Sequence, residues 1–156
     1  MSMNAKPSEL VAVLAVLDPD EYTAADATPL LTGAVDMSKW GALMAVISLG
    51  DVAATISVNA KFTQATTAAG TYKDVSGTDI TALTGGDDNK QVIINLKAED
   101  LDIDNGYDQV KLSVTVSDSA SPDAALADVC ATVLGFYPRY LPANSYDLST
   151  VDEIVN

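Results

Sequence analysis

Residues 109–116 read Gln109-Val110-Lys111-Leu112-Ser113-Val114-Thr115-Val116, apolar and polar side chains alternating without a break. Successive side chains of a strand point to opposite faces, so Val110, Leu112, Val114 and Val116 share one side and Gln109, Lys111, Ser113 and Thr115 the other. This is a half-buried strand. Working outward, residues 55–62 repeat the pattern, with Ile56, Val58, Ala60 and Phe62 opposing Thr55, Ser57, Asn59 and Lys61. Residues 91–97 give a third strand with Val92, Ile94 and Leu96 inward. Residues 40–49 and 124–137 are apolar at both parities, which implies central strands covered on both sides by a second sheet, the chain's own arms or a partner.

Turn signals separate these runs at Pro19-Asp20, Gly50-Asp51, Ala69-Gly70, Ser76-Gly77, residues 85–89, Asn105-Gly106 and Pro122-Asp123. About seven to eight strands at this spacing predict an all-β, antiparallel β-sandwich or jelly-roll-like fold. Helix signals are weak: one turn over residues 79–83, and one over residues 149–155 with Ser149 as cap and Asp152 and Glu153 in its first turn. The length of 156 residues suits one domain able to bury a core unaided. It divides into an N-terminal arm over 1–9, a sandwich over 10–140 and a C-terminal extension over 141–156. Residues 10–17 form an eight-residue apolar stretch, entered at Glu9 and left at Asp18-Pro19-Asp20, which reads as a buried first strand and not as a signal-peptide core.

Twenty-two acidic against eight basic side chains leave a net charge of −14, with no histidine. Binding of nucleic acid requires a cationic footprint, which this chain lacks. No run approaches the ~18 apolar residues of a membrane-spanning helix. The commonest general base and transition-metal ligand are absent with histidine. One cysteine, Cys130, excludes an intramolecular disulfide framework and suits a reducing cytoplasm; its place among apolar residues predicts a small core side chain. No cofactor is expected.

Two acidic stretches merit weighing as sites. Residues 99–108 place Asp100, Asp102 and Asp104 at alternate positions like a calcium loop, but the glycine falls one place late and Lys111 stands where a bidentate Glu is required. A solvated loop turned by Asn105-Gly106 fits better than a metal site, an irregular calcium site being the remaining option. Asp87-Asp88, on a glycine-rich turn, have nothing in sequence to desolvate one of them into an acid/base pair. A carboxylate hydrolase would need two acids brought together in a cleft, with Asp87, Asp88, Asp102 and Asp104 as the candidates. Catalytic residues are accordingly expected to be none, and the protein not an enzyme.

Phe136-Tyr137-Pro138-Arg139-Tyr140 gathers three of the nine aromatics and the single arginine at the end of the last strand. Tyr and Arg are the composition of contact anchors, although aromatics folded onto the sandwich rim would read the same way. Beyond them the polar extension carries Tyr146, Leu148, Val151 and Ile154 as apolar anchors. Such a tail orders only if it lies on something, a neighbouring subunit being one option. These eight residues, Phe136, Tyr137, Arg139, Tyr140, Tyr146, Leu148, Val151 and Ile154, are the candidate assembly contacts.

The succession of segments resembles a group of small accessory structural proteins encoded in the head-gene region of tailed bacteriophages and prophages. It is carried by residues 14–22 (LAVLDPDEY), 36–40 (DMSKW) leading into 43–47 (LMAVI), 60–66 (AKFTQAT) and 70–75 (GTYKDV). It continues through 91–96 (QVIINL), 107–112 (YDQVKL) and 134–140 (LGFYPRY). The resemblance implies a β-sandwich component of the virion, such as a capsid decoration or cement protein, a head fibre or a tail-associated module, made in the bacterial cytoplasm. Its partners would be the major capsid protein or other virion proteins, with self-association expected and trimers among the closed rings that suit a lattice. A charge of −14 favours the outer head surface over one facing packaged DNA. The alternative is a tail-associated or host-surface glycan-binding β-module, which would need an exposed aromatic platform. Trp40, at the start of an apolar run, does not offer one.

Overall fold

The computed structural model describes residues 4–24, 29–120 and 125–155. Among these, ten strands form two antiparallel sheets. In chain order they are β1 (Val11–Thr23), β2 (Leu30–Leu31), β3 (Val35–Asp36), β4 (Trp40–Val52), β5 (Ile56–Ala65), β6 (Lys73–Asp74), β7 (Leu83–Thr84), β8 (Gln91–Lys97), β9 (Gln109–Asp118) and β10 (Leu126–Pro138). One sheet has the order β1-β10-β4-β8. The other is built on β9 and β5, with β2 and β3 on the free side of β9 and β6 and β7 on the free side of β5. The fold is an all-β sandwich, as the alternation predicts.

The core lies between the sheets. Val110, Leu112, Val114 and Val116 of β9 and Ile56, Val58, Ala60 and Phe62 of β5 are buried, facing Leu43, Ala45 and Ile47 of β4 and Val129, Ala131 and Val133 of β10. Small and β-branched side chains dominate it, which suits a pleated, close-packed interior. The long apolar strands β4 and β10 occupy the two central places of their sheet, as expected.

Both margins of the β9/β5 sheet are closed by the same device. Phe62 and Leu112 are cross-strand partners. On one side the Thr32 hydroxyl accepts the Leu112 N–H at 3.0 Å. On the other, the Thr78 hydroxyl accepts the Phe62 N–H at 3.1 Å and donates to the Val75 carbonyl at 2.8 Å. Both threonines are buried. The short margin strands break at these points, and the hydroxyls keep backbone donors from being stranded in the core.

Several local expectations are overridden by long-range pairing. Pro19-Asp20 is not a turn but a bulge inside β1, which runs on to Thr23 along β10; proline is tolerated there because β1 is a margin strand. Gly50-Asp51 lies inside β4. Glycine is needed at position 50 because a Cβ would meet the Asp128 Cβ of β10 at 2.8 Å. Residues 79–83 are not helical: the Ile80 N–H donates to the Ala60 carbonyl and Leu83 pairs with Val58, drawing the segment along β5. Residues 149–155 form no helix either, only a turn closed by Val151 N–H on the Leu148 carbonyl. The α-helical turn lies instead at Pro7–Leu10, inside the stretch expected as an arm, and 3-10 turns lie at Met37–Lys39, Ala98–Asp100, Ile103–Asn105 and Ala143–Tyr146. Pro122-Asp123 lies outside the described residues.

Candidate assembly surfaces

The strand ends near Trp40 gather the aromatic cluster. Trp40 itself is buried, its ring set edge-on against Tyr146 at 5.8 Å and 80°. Tyr146 belongs to the 3-10 turn that follows the cluster, and the chain then returns to the margin of β1. There the Leu148 N–H donates to the Val13 carbonyl at 2.9 Å, and Asp147 Oδ1 accepts the Val13 N–H at 2.6 Å. These bonds fall where the register of β1 slips between Val13 and Ala15. The C-terminal extension thus lies on its own sandwich, and Tyr146, Leu148, Val151 and Ile154 are all half-buried.

Phe136, Tyr137, Arg139 and Tyr140 sit at the same end, and they are not folded onto the rim. Tyr137 is 69% and Tyr140 70% exposed, and Leu141, one residue beyond the expected cluster, is 66% exposed. Arg139 is exposed, while Phe136 is half-buried on the outward face of β10. Tyr137 adopts φ 54. For a residue with a Cβ this left-handed conformation costs on the order of 1 kcal/mol, and Tyr137 recovers little of it by burial. Across the strand pair lies Gly41, where a Cβ would approach the Tyr137 Cβ to 3.0 Å, so the glycine makes room for the turned-out tyrosine. Tyr137 borders an open hollow of about 700 Å³ with Ala42, Met44, Lys97 and Phe136.

The carboxylates weighed above do not converge. Asp88 accepts the Val52 N–H at 2.9 Å, and Asp87 caps its own turn by accepting from Thr84 N–H and from the Lys90 ammonium. The Lys90 hydrogen bond, then the Thr84 N–H, holds the Asp87 carboxyl below the usual range. Asp102, separated from this pair by the length of β5, is held low by the Lys73 ammonium and then by Asn105, and its backbone N–H donates to Gln64 Oε1 at 2.9 Å. Lys73 also lies 3.8 Å from the centre of the Tyr107 ring. These acids tie loops to strands. Among the described residues no three His, Cys, Asp or Glu side chains are grouped to hold a metal ion.

Cys130 departs from expectation: it is half-exposed on the outward side of β10, because Val129 and Ala131 take the inward positions. The central strands are likewise covered within the chain on one side only. Alternate residues of β4 and β10, among them Met44, Val46, Thr132, Leu134 and Phe136, remain half-exposed.

No family model matches the chain, and no curated protein does. Among solved structures it is similar to a chain of the infectious bursal disease virus Gx strain, at 13% identity and a TM-score of 0.49 over 86% of this chain. A chain of the Gt strain of that virus gives 11% identity and a TM-score of 0.48 over 85%. This chain spans 33% of the length of each of those viral chains. A chain from Bacillus endospore appendages, described as disulfide-linked pili, is similar at 16% identity and a TM-score of 0.38, over 87% of this chain and 98% of that one. At these scores the likeness extends no further than general β architecture.

Proposed function

We propose that the protein is a non-enzymatic structural component of a virion, a capsid accessory protein of the decoration or cement kind. It would sit on the outer head surface and stabilise the shell through protein–protein contacts. The observation that carries the assembly role is the strained, exposed Tyr137, standing with Arg139, Tyr140 and Leu141 at one end of a rigid sandwich. A chain that holds a large aromatic in the left-handed region and leaves it in solvent gains nothing from it as a monomer; the return comes when a partner covers it. The resemblance of the segment order to phage head-region structural proteins supplies the virion context. The excess of acidic side chains supports the outward position by keeping a DNA-facing placement unfavourable.

Mixing the purified protein with capsids that lack it, followed by imaging, tests this reading. Decoration at regular lattice positions is expected, and the triple change Tyr137→Ser, Arg139→Ser, Tyr140→Ser should abolish it while the circular dichroism spectrum stays unchanged. Labelling of the tail alone, or of nothing, overturns it.

A further inference from the structure

The two outward faces of the sandwich are unlike. On the β9/β5 sheet the outward residues are Ser57, Asn59, Lys61 and Thr63 of β5 and Gln109, Lys111, Ser113, Thr115 and Ser117 of β9, all polar, of which Thr63 and Ser113 are buried and the rest half-exposed or exposed. On the other sheet the pairing register aligns Val16 with Thr132 and Val46, Val13 with Leu134 and Met44, and Val46 in turn with Ile93 of β8. This face is apolar through the middle of β1, β10 and β4 and mixed on β8, where Ile93, 56% exposed, stands between the outward Gln91 and Asn95. Among the described residues there are two sheets, which face each other, and one α-helix of four residues. No third layer of regular structure among the described residues covers the face. An apolar sheet face flanked by charge only at its ends is how an interface is built.

We infer that this face is the docking surface for a second copy of the same chain, two β1-β10-β4-β8 sheets stacking face to face about a two-fold axis. Two observations choose that occupant. The first is charge. The face carries Lys97 at the Trp40 end of β8, on one corner; at the opposite end, towards β1, Glu21 and Asp128 stand directly opposite each other across the strands. Two like charges in register repel, and among the described residues neither carboxylate has an ion-pair partner. Lys97 has only Glu99, in an exposed pair that contributes little. A two-fold axis along the other diagonal lays the Lys97 of each copy over the Glu21/Asp128 corner of its mate, twice by symmetry. The second is area. Four strands ~4.8 Å apart and about seven residues at ~3.3 Å each give roughly 450 Å² of projected face, so two copies cover roughly 900 Å² before side-chain relief is added. That is below the roughly 1,200–2,000 Å² of stable specific interfaces and in the range of weak, transient ones, which fits a dimer that forms only as the concentration rises.

This pairing adjoins the proposed shell contacts, which share Phe136 and the hollow beside Tyr137 with it, but does not depend on the shell-binding reading. Sedimentation analysis of the full chain, from low micromolar to several hundred micromolar, tests it. The wild type should pass from 16.2 kDa to twice that mass. Val46→Lys and Leu134→Lys, both outward and harmless to the core, should each hold it monomeric at every concentration. Lys97→Glu should weaken association at least tenfold, and adding Glu21→Lys and Asp128→Lys to it should restore the dimer. A wild type monomeric throughout, or a trimer, overturns the inference, since face-to-face stacking closes at two. So does a dimer that survives both Val46→Lys and Leu134→Lys, which would place the contact on another surface. A monomeric wild type whose Val46→Lys variant no longer decorates capsids would assign the face to another virion protein and overturn self-pairing.

Discussion

A Cβ at Gly135 would crowd its neighbours more than at any other glycine of the chain, and replacing it with alanine should cost about 2 kcal/mol. It lies on the inward side of β10, paired with Leu43 and Ala12. A Cβ there would overlap Leu14 Cδ1 and come within 2.7 and 2.8 Å of the Trp40 ring carbons Cε3 and Cδ2. Carbon atoms settle at roughly 3.5–4.0 Å, so something must move by about an ångström. Leu14 can rotate away. Trp40 has less freedom, because it is buried and Tyr146 stands edge-on against it. The strain therefore passes through the indole into the Ala143–Tyr146 turn and the tail bonded to Val13. At the size of this chain, about 2 kcal/mol corresponds to a fall in Tm of about 4–8 °C. Thermal unfolding followed by Trp40 fluorescence reads the loss, and amide exchange at residues 143–148 should quicken out of proportion to the rest. Adding Leu14→Ala removes one of the two overlaps and should restore less than half. A Gly135→Ala protein melting within about 1 °C of the wild type, with unchanged exchange in the tail, would refute the packing argument.

Thr78→Val and Thr32→Val keep shape but strand the Phe62 and Leu112 N–H groups, so each should lower the unfolding free energy by about 1–3 kcal/mol in urea titrations; a loss below about 0.5 kcal/mol would mean the hydroxyls are dispensable. Tyr137→Gly should stabilise the chain by up to about 1 kcal/mol in the same assay while weakening shell binding, because glycine accepts φ 54 without strain. Asp87, Asp102 and Asp118 are held below the ordinary carboxyl value by hydrogen bonds, respectively from Lys90, from Lys73 and from the Ala120 N–H. A depressed folded pKa adds stability that is present above about pH 4 and lost as pH falls through the folded value. Burial raises the Tyr22 and Tyr72 phenols, and the Asp74 carboxylate raises Lys61, so a second decline is expected above about pH 10. With no histidine, Tm should be level from about pH 6 to 8, and a transition near pH 6.5 would contradict this.

The strands that face one sheet toward the other were legible because their chemistry is local. β9 and β5 alternate so strictly that their inward residues follow from the sequence, and only their ends, Asp118 and Ala65, run beyond the expected limits. Pro19 and Gly50 misled because a turn signal describes a residue's own preferences, whereas the extended path there is imposed by β10, more than seventy residues away. Thr32 and Thr78 carry no local mark at all: a buried threonine reads like any surface threonine until its strand neighbour is known. The aromatic cluster was visible as composition. Its exposure, its extension to Leu141 and the left-handed Tyr137 were not, since each depends on how β10 leaves the sheet beside Gly41. Asp147 has no sequence signature, because its role is to fill a slip in a strand at the other end of the chain.

The doubly apolar runs of β4 and β10 connect these failures to function. A strand apolar at both parities implies cover on both sides, and the chain provides it on one. The excess of negative charge is then the counterpart of that bare face: apart from the Glu21/Asp128 corner it lies on loops, margins and strand ends, so the approach that meets least repulsion is one that brings the apolar centres of two faces together. Repulsion between distant carboxylates reaches about a Debye length, roughly 30 Å at 0.01 M salt and about 8 Å at 0.15 M, whereas an apolar contact does not fade with salt. Self-association through the β1-β10-β4-β8 face should therefore strengthen as salt rises over that range, even though two Lys97 contacts are being screened. A pairing driven mainly by those charges would weaken instead, so the sign of the salt dependence separates a surface that the acidity protects from one that the acidity makes.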